Sequence, residues 1–114
     1  MQLLKVEVTD RADGFAAVVS GELDLSTIEQ LEQELAGAFE REPQTAVLDL
    51  RGLDFLDSSG LRLILKLHAR QREAGRRLVV VSTARPVTRV FELTGADNEL
   101  EIVADPDQVD GTGS

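Results

Sequence analysis

The stretch Phe55-Leu56-Asp57-Ser58-Ser59-Gly60-Leu61 joins an apolar run typical of a strand to an amphipathic run typical of a helix. Its two hydroxyls and one carboxylate crowd the position where we expect the helix to begin. The first turn of a helix has unpaired backbone N–H groups and carries the positive end of the helix macrodipole. Asp and Ser are favoured as N-caps in any helix, so Asp57 and Ser58 could simply be capping residues. The stretch predicts a strand-to-helix junction that is rich in polar side chains.

Outward from this junction, the hydrophobic pattern divides the chain into strands and helices. The predicted elements in chain order are a strand over 2–8, a strand over 15–23, a helix that begins at the capping-box pattern Ser26-Thr27-Ile28-Glu29 and ends before Pro43, a strand over 45–50, a helix from Ser58 to Ala74, a strand over 78–82, a helix from Pro86 to Gly95 and a strand over 100–103. The first two strands are separated by turn residues and predict an antiparallel hairpin. Gly21, near the end of the second strand, predicts a bulge or a close backbone approach.

The order β-β-α-β-α-β-α-β predicts an α/β domain with a mixed, mainly parallel central sheet, an N-terminal hairpin and helices packed on the sheet. The run 45–50 is so continuously apolar that it fits a central strand covered on both faces. We assign residues 1–104 to a single domain. Residues 105–114 are acidic and contain glycine, which predicts a flexible C-terminal tail.

Composition and charge narrow the classes of function. A chain of 114 residues is long enough for one domain with a real core. Its formal net charge of -9 argues against direct nucleic-acid binding, because a phosphate backbone rewards basic patches. The sequence has no cysteine and no apolar run of secretory or membrane-spanning length. We therefore expect a cytoplasmic protein with neither nucleic acid nor a membrane as a direct partner.

Four polar residues are predicted to meet at one end of the sheet: Asp24, which ends the second strand, and Asp57, Ser58 and Ser59 at the junction. A phosphate on a serine there would carry about -1.5 to -2 charges near the positive end of a helix dipole. The fold should tolerate that charge, whereas a partner closing over the same place would have to desolvate it. Carboxylates nearby would position the hydroxyl and repel the phosphate after transfer. Gly60 is predicted to permit close approach to the hydroxyl, because it lacks a Cβ.

An enzymatic role is poorly supported by the residues. A serine hydrolase with Ser59 as nucleophile needs a base, yet the single histidine, His68, lies nine positions along the same helix, some 13 Å away. The Gly-x-Ser-x-Gly pattern of hydrolases and the glycine-rich phosphate-binding patterns do not occur. We predict no catalytic, cofactor-binding or metal-ligating residue. His68 is expected to be a packed or edge histidine, and the stripe Arg62, Lys66 and Arg70 is a solvated face or, alternatively, a partner contact.

Taken together, three segments resemble the bacterial anti-anti-sigma factors, which are the anti-sigma factor antagonists of the STAS domain family. These segments are Gly21-Glu22-Leu23-Asp24, Val47-Leu48-Asp49-Leu50 and Phe55 to Leu61. Phe91-Glu92-Leu93-Thr94-Gly95 also lies where that family carries a similar segment before its last strand. The resemblance covers about residues 3–104, and the Asp-Ser-Ser-Gly segment between a strand and a helix is its most specific part.

The resemblance implies a protein-binding module that is gated by phosphorylation. In that family, the unphosphorylated antagonist binds an anti-sigma factor that is also a serine kinase, and thereby frees a sigma factor. Phosphorylation of the serine before the glycine releases the antagonist, and a metal-dependent serine phosphatase restores it. The phosphorylated residue would here be Ser59. The predicted kinase-contacting residues are Asp24, Asp57, Ser58, Gly60 and Arg62.

The same resemblance implies that ATP is bound by the partner kinase and that this chain needs no cofactor. We expect a monomer or a weak dimer. The alternative within the same fold is a STAS scaffold or sensory-complex protein that no cognate kinase gates, and a large assembly without kinase-dependent release would favour it.

Overall fold

The computed structural model describes residues 3–110, which contain five strands and three α-helices. In chain order they are β1 (Leu4–Arg11), β2 (Gly14–Leu23), α1 (Ile28–Glu40), β3 (Thr45–Leu56), α2 (Ser58–Glu73), β4 (Arg77–Val81), α3 (Arg85–Thr94) and β5 (Glu101–Val103), with short 3₁₀ turns at Ala96–Asn98 and Pro106–Gln108. The predicted order of elements and the α/β fold class are therefore confirmed. Residue 2, where the first strand was predicted to begin, lies outside the described residues.

The five strands form one sheet in the order β1-β2-β3-β4-β5. β1 and β2 pair antiparallel, as the predicted hairpin requires, and the pairs β2–β3, β3–β4 and β4–β5 are parallel. Each parallel connection advances one strand in the same direction through one helix. Right-handed crossovers of this kind place every helix on the same face of the sheet. One cluster of buried side chains accordingly joins all three helices to the strands, with Leu31 from α1, Ile64 from α2 and Phe91 from α3.

The part of the opposite face formed by β3 and β4 is covered by a later segment of the chain. Val109 is fully buried there against Val47, Val79 and Val81. The guanidinium of Arg77 donates to the carbonyl oxygen of Val109 at 3.0 Å. The prediction that residues 45–50 are covered on both faces is thus confirmed, since all six are buried.

Residues 105–110 differ from the flexible tail that the acidic composition predicted. Besides the burial of Val109, Asp110 accepts a hydrogen bond from Arg11 at 2.5 Å, and Asp105 and Gln108 form a capping box around the 3₁₀ turn. The apolar surface that Val109 covers is distant in sequence, so a local compositional rule does not register it. Residues 111–114 lie outside the described residues.

Two features of β2 and α1 test local predictions. Gly21 has φ of 98°, and a Cβ there would lie 2.1 Å from the carbonyl oxygen of Leu3, so the predicted close backbone approach is confirmed. The predicted capping box at Ser26 is wrong. α1 begins at Ile28 with Thr27 as its N-cap and without a side-chain cap bond, because the Ser26 hydroxyl instead donates to Asp24 Oδ1 at 2.6 Å.

The segment that leads into the junction is longer than predicted. β3 continues six residues beyond 50 and ends at Leu56, with Leu53 and Leu56 buried. α2 then begins at Ser58, as predicted, and is followed by Gly75 with φ of 73°, a left-handed conformation that glycine accommodates. The polar junction therefore sits directly at the carboxyl end of the central strand.

Candidate functional site

Asp57 holds the junction between β3 and α2 together. It is the N-cap of α2, and its Oδ1 accepts a hydrogen bond from the backbone N–H of Gly60 at 2.9 Å. Its Oδ2 accepts from the backbone N–H of Leu25, in the loop between β2 and α1, at 3.2 Å. The interpretation of Asp57 as a capping residue is therefore confirmed. The same carboxylate also joins the two loops that the sequence predicted to lie at one end of the sheet.

Asp24 organises the loop between β2 and α1 and is 6% exposed. Its Oδ1 accepts from the backbone N–H of Ser26 at 2.9 Å and from the Ser26 hydroxyl. The hydrogen bond from the Ser26 hydroxyl is the main reason that the pKa of Asp24 lies below its usual range, and the Thr27 hydroxyl acts in the same direction. This geometry supports a structural role for Asp24, because its carboxylate is already engaged within its own loop.

The two serines occupy the first two positions of α2 and differ in their surroundings. Ser58 is exposed, whereas Ser59 is half-buried. Across residues 3–110, neither serine hydroxyl hydrogen-bonds to Asp24 or Asp57, so the carboxylates do not position a hydroxyl as the sequence predicted. Ser58 does not cap the helix either, since Asp57 does so.

Ser59 opens into a cavity of about 190 Å³ between the start of α1 and the first turns of α2. Its lining is mixed, with apolar side chains from both helices and three charged groups. The other lining residues are Leu25, Ile28, Glu32, Arg62, Leu63 and Lys66. The half-buried Ser59 therefore borders a surface cavity and not the closed core.

Gly60 is buried, and its position has an internal cause. A Cβ there would lie 2.7 Å from Leu56 Cδ1, 2.8 Å from the carbonyl oxygen of Leu23 and 2.9 Å from Leu23 Cγ. The glycine allows the first turn of α2 to pack against the end of β2. This corrects the prediction that its missing Cβ serves the approach of a partner to the hydroxyl.

Two exposed apolar side chains at this end of the sheet were missed in the sequence. Leu25 is 72% exposed and lines the cavity beside Ser59, and Phe55 is 45% exposed two residues before Asp57. The sequence contained a signal of exposure for each of them. Leu25 stands in a loop between an aspartate and a serine, and Phe55 stands next to the polar junction. Exposed apolar groups that flank a polar centre are typical of protein interfaces.

The basic stripe on α2 is exposed, as predicted, but its members differ. Lys66 Nζ lies 3.6 Å from Glu32 Oε2 of α1. Within the described part of the chain, the guanidinium groups of Arg62 and Arg70 have no hydrogen-bond or ion-pair partner. Arg62 lines the cavity at Ser59, whereas Arg70 does not.

His68 lies further along α2 among packed side chains. Both of its ring nitrogens are buried and, among residues 3–110, have no hydrogen-bond partner. The expectation of a packed histidine is therefore confirmed, and this imidazole offers no proton acceptor at the Ser59 hydroxyl. The described residues also contain no cluster of three or more metal-ligating side chains and no helix with the length and apolarity needed to cross a membrane.

The sheet is open, all its helices lie on one face, and a serine pair follows its central strand at a capped helix start. Comparison with known proteins identifies the class of domain that has this architecture. The model of the family described as "Mlab, STAS domain" matches residues 9–104. The chain belongs to the STAS domain family.

Its relatives narrow that class further. The chain is 36% identical over 87 residues, which are 75% of each sequence, to a Bordetella bronchiseptica protein named "Putative anti-sigma factor antagonist BtrV". It is 24% identical over 99 residues to the anti-sigma-B factor antagonist of Staphylococcus aureus, covering 87% of this chain and 92% of that protein. The resemblance seen in the sequence is confirmed, and these relatives are by name regulatory proteins.

Solved structures agree with this assignment. The anti-sigma factor antagonist from Mycobacterium paratuberculosis superposes with a TM-score of 0.84 at 27% identity, covering 93% of this chain and 90% of that one. Unphosphorylated SpoIIAA, also an anti-sigma factor antagonist, superposes with a TM-score of 0.77 at 20% identity, covering 95% and 96%. At that identity the second match shows a shared fold.

Proposed function

We propose that this chain is an anti-sigma factor antagonist whose unphosphorylated form binds an anti-sigma factor serine kinase and so frees a sigma factor. In this proposal the kinase supplies ATP and phosphorylates Ser59, and the phosphorylated chain is released. A serine phosphatase then restores the binding form. The antagonist names of its relatives support the class of function. A cytoplasmic location follows from these partners.

The observation that carries the proposal is the position of Ser59. It is half-buried at the second position of α2 and opens into a surface cavity, whereas the residue after it is fully packed. A kinase can reach this hydroxyl, and the added phosphate would lie outside the core. The positive end of the α2 dipole would favour the new charge by about 0.3–1 kcal/mol at an exposed site. Phosphorylation should therefore leave the fold intact.

The surroundings of Ser59 explain why a partner would respond to the phosphate. Leu25, in the loop before α1, and Phe55, two residues before Asp57, offer exposed apolar surface. An interface that buries these side chains would also cover Ser59, and a doubly charged group would then lose its hydration. A penalty of about 3 kcal/mol would lower the affinity on the order of a hundredfold.

Roles for the other predicted contact residues follow from the geometry. Asp24 and Asp57 would act by holding the two loops in place, since their carboxylates bind backbone amides and a neighbouring hydroxyl. Ser58 and Arg62 are exposed and can touch a partner directly. Gly60 is buried, so we assign it a packing role that places Ser59 correctly.

A pull-down from the source cell tests this proposal. The Ser59→Ala variant should retain an anti-sigma factor kinase, Ser59→Asp should retain much less of it, and Ser58→Asp is the matched control for charge at the same helix end. The retained kinase, once purified, should transfer one phosphate from ATP to Ser59 of the parent chain. Recovery of the phosphate on Ser58 alone, or equal retention by both Ser59 variants, would contradict the proposal. Equal retention within a large assembly would favour the scaffold alternative.

A further inference from the structure

Arg62 places a positive charge beside Ser59, and its guanidinium has no partner among the described residues. It lies three residues after Ser59 on α2, so the two side chains are neighbours on one helix face. Both line the same cavity. Within the described part of the chain, no carboxylate or other acceptor binds the Arg62 guanidinium.

Lys66 places a second cation in the same cavity, one turn further along α2. Its ammonium faces Glu32 across the gap between α1 and α2 at 3.6 Å. Both side chains are exposed, Lys66 to 60% and Glu32 to 42%, and exposed pairs of this kind contribute little to stability. Lys66 is therefore free to exchange Glu32 for a stronger anion at low cost.

A phosphoryl group on Ser59 would be such an anion. It carries about -1.5 to -2 charges and three acceptor oxygens, and guanidinium groups bind phosphate with two parallel hydrogen bonds. The cavity volume of about 190 Å³ is roughly six times the volume that one water molecule occupies in the liquid. The site thus has room for the group and two cations to bind it.

We propose that Arg62 and Lys66 form an intramolecular receptor for the phosphoryl group of phosphorylated Ser59. This inference rests on the proposed function, because it concerns the same phosphorylated serine. Arg62 binds the phosphate from one turn away, and Lys66 turns from Glu32 towards it. Glu32 is the acidic group that lines this cavity, and it opposes the phosphate once Lys66 has left it.

Binding of the phosphate by Arg62 and Lys66 gives a second reason, besides the added charge itself, why the phosphorylated chain would release its partner. The bound phosphate fills part of the cavity that Leu25, Ile28 and Leu63 line, so it covers the exposed side chain of Leu25, and it occupies both cations. A partner that binds the apolar surface, the cations or both would lose these contacts when Ser59 is phosphorylated. An aspartate at position 59 is shorter and carries a single charge, so Ser59→Asp should reproduce the release incompletely.

The test uses full-length chain with phosphoserine incorporated at position 59 during synthesis, so that no kinase is needed. Phosphorus NMR then measures the second pKa of the phosphate at about 0.15 M salt. Replacing Arg62 by alanine should raise that pKa by roughly 0.5 unit, since a cation next to the group favours the dianion. Lys66→Ala should raise it by a similar or smaller amount, and Arg62→Lys should retain most of the lowering.

The matched control is Arg70→Ala, which removes the same charge from the same helix outside the cavity. Arg70 lies about three turns from Ser59, beyond the screening length at this salt concentration. Its removal should shift the pKa by less than about 0.1 unit. Equal pKa values in the parent, Arg62→Ala and Arg70→Ala would overturn the receptor. That result would leave kinase gating intact, whereas failure of a kinase to modify Ser59 would leave the receptor measurement intact.

Discussion

Replacing Gly60 by alanine should destabilise the domain, although alanine is the better helix former. The new Cβ would lie 2.8 Å from the carbonyl oxygen of Leu23 and 2.7 Å from Leu56 Cδ1. The Leu56 methyl group can move, but the Leu23 carbonyl is backbone and accepts the N–H of Asp57 at 3.2 Å. The clash therefore acts on the bond that joins the end of β2 to the N-cap of α2.

Two contributions lower the free energy of unfolding of Gly60→Ala, and a third partly offsets them. Overpacking a tight site costs about 1–3 kcal/mol, and weakening one backbone hydrogen bond costs about 0.5–1.5 kcal/mol. The helix propensity of alanine offsets up to about 1 kcal/mol. We expect a net loss of about 2 kcal/mol in the free energy of unfolding, which lowers Tm by roughly 10 °C for a domain near 100 residues.

Gly37→Ala is the matched control, because Gly37 lies within α1 and a Cβ there would meet no atom within 4 Å. Urea unfolding of both variants should show a gain of up to about 1 kcal/mol for Gly37→Ala and a loss for Gly60→Ala. If Gly60→Ala proved as stable as the parent while Gly37→Ala behaved as expected, close packing would not be the reason for glycine at this position.

Three other variants test separate parts of the structure. His68→Leu should raise the free energy of unfolding by about 1 kcal/mol, because it removes a buried imidazole without hydrogen-bond partners; an unchanged or lower urea midpoint would mean that the ring is satisfied in solution. Val109→Ala should lose about 1.6 kcal/mol, two buried carbon groups at about 0.8 kcal/mol each, and thermal unfolding that matches the parent would show that residues 105–110 do not cover the sheet. The pKa of Asp24 is lowered by folding, so its ionised form stabilises the protein above the usual carboxyl pKa near 3.8, and this contribution is lost as the pH falls below that value. The stability difference between the parent and Asp24→Asn should therefore shrink between about pH 5 and pH 2, and a difference independent of pH would refute the assigned shift.

The fold was predictable because its main signals are local and periodic. Apolar runs gave β3 and β4, the amphipathic pattern gave α2, and the order of elements then left a mixed sheet with right-handed crossovers. The features that failed depend on contacts between distant segments. Ser26 could have capped α1, but Asp24 binds its hydroxyl first, and Val109 stands in an acidic tail yet covers valines that are at least 28 residues away in sequence.

In the candidate site, too, local features could be predicted from the sequence, whereas features that depend on contacts between distant segments could not. The sequence identified Asp57, Ser58 and Ser59 as a polar cluster at a helix start, and the structure places them there. It could not show that Ser59 opens into a cavity while Gly60 packs inward, because that difference depends on how α2 lies against β2. A leucine in a loop between an aspartate and a serine indicated exposure of Leu25, but its extent depends on the direction in which the Asp24 loop leaves the sheet.

The central claim is that one added charge at Ser59 ends partner binding while the fold stays unchanged. The most direct measurement is the affinity of the purified anti-sigma factor for the chain carrying serine or phosphoserine at position 59, with phosphoserine at position 58 as control. We expect binding to weaken on the order of a hundredfold for phosphoserine 59, with a much smaller effect at position 58 and no lowering of the unfolding temperature by either phosphate. Equal affinities for serine and phosphoserine at position 59 would contradict the claim.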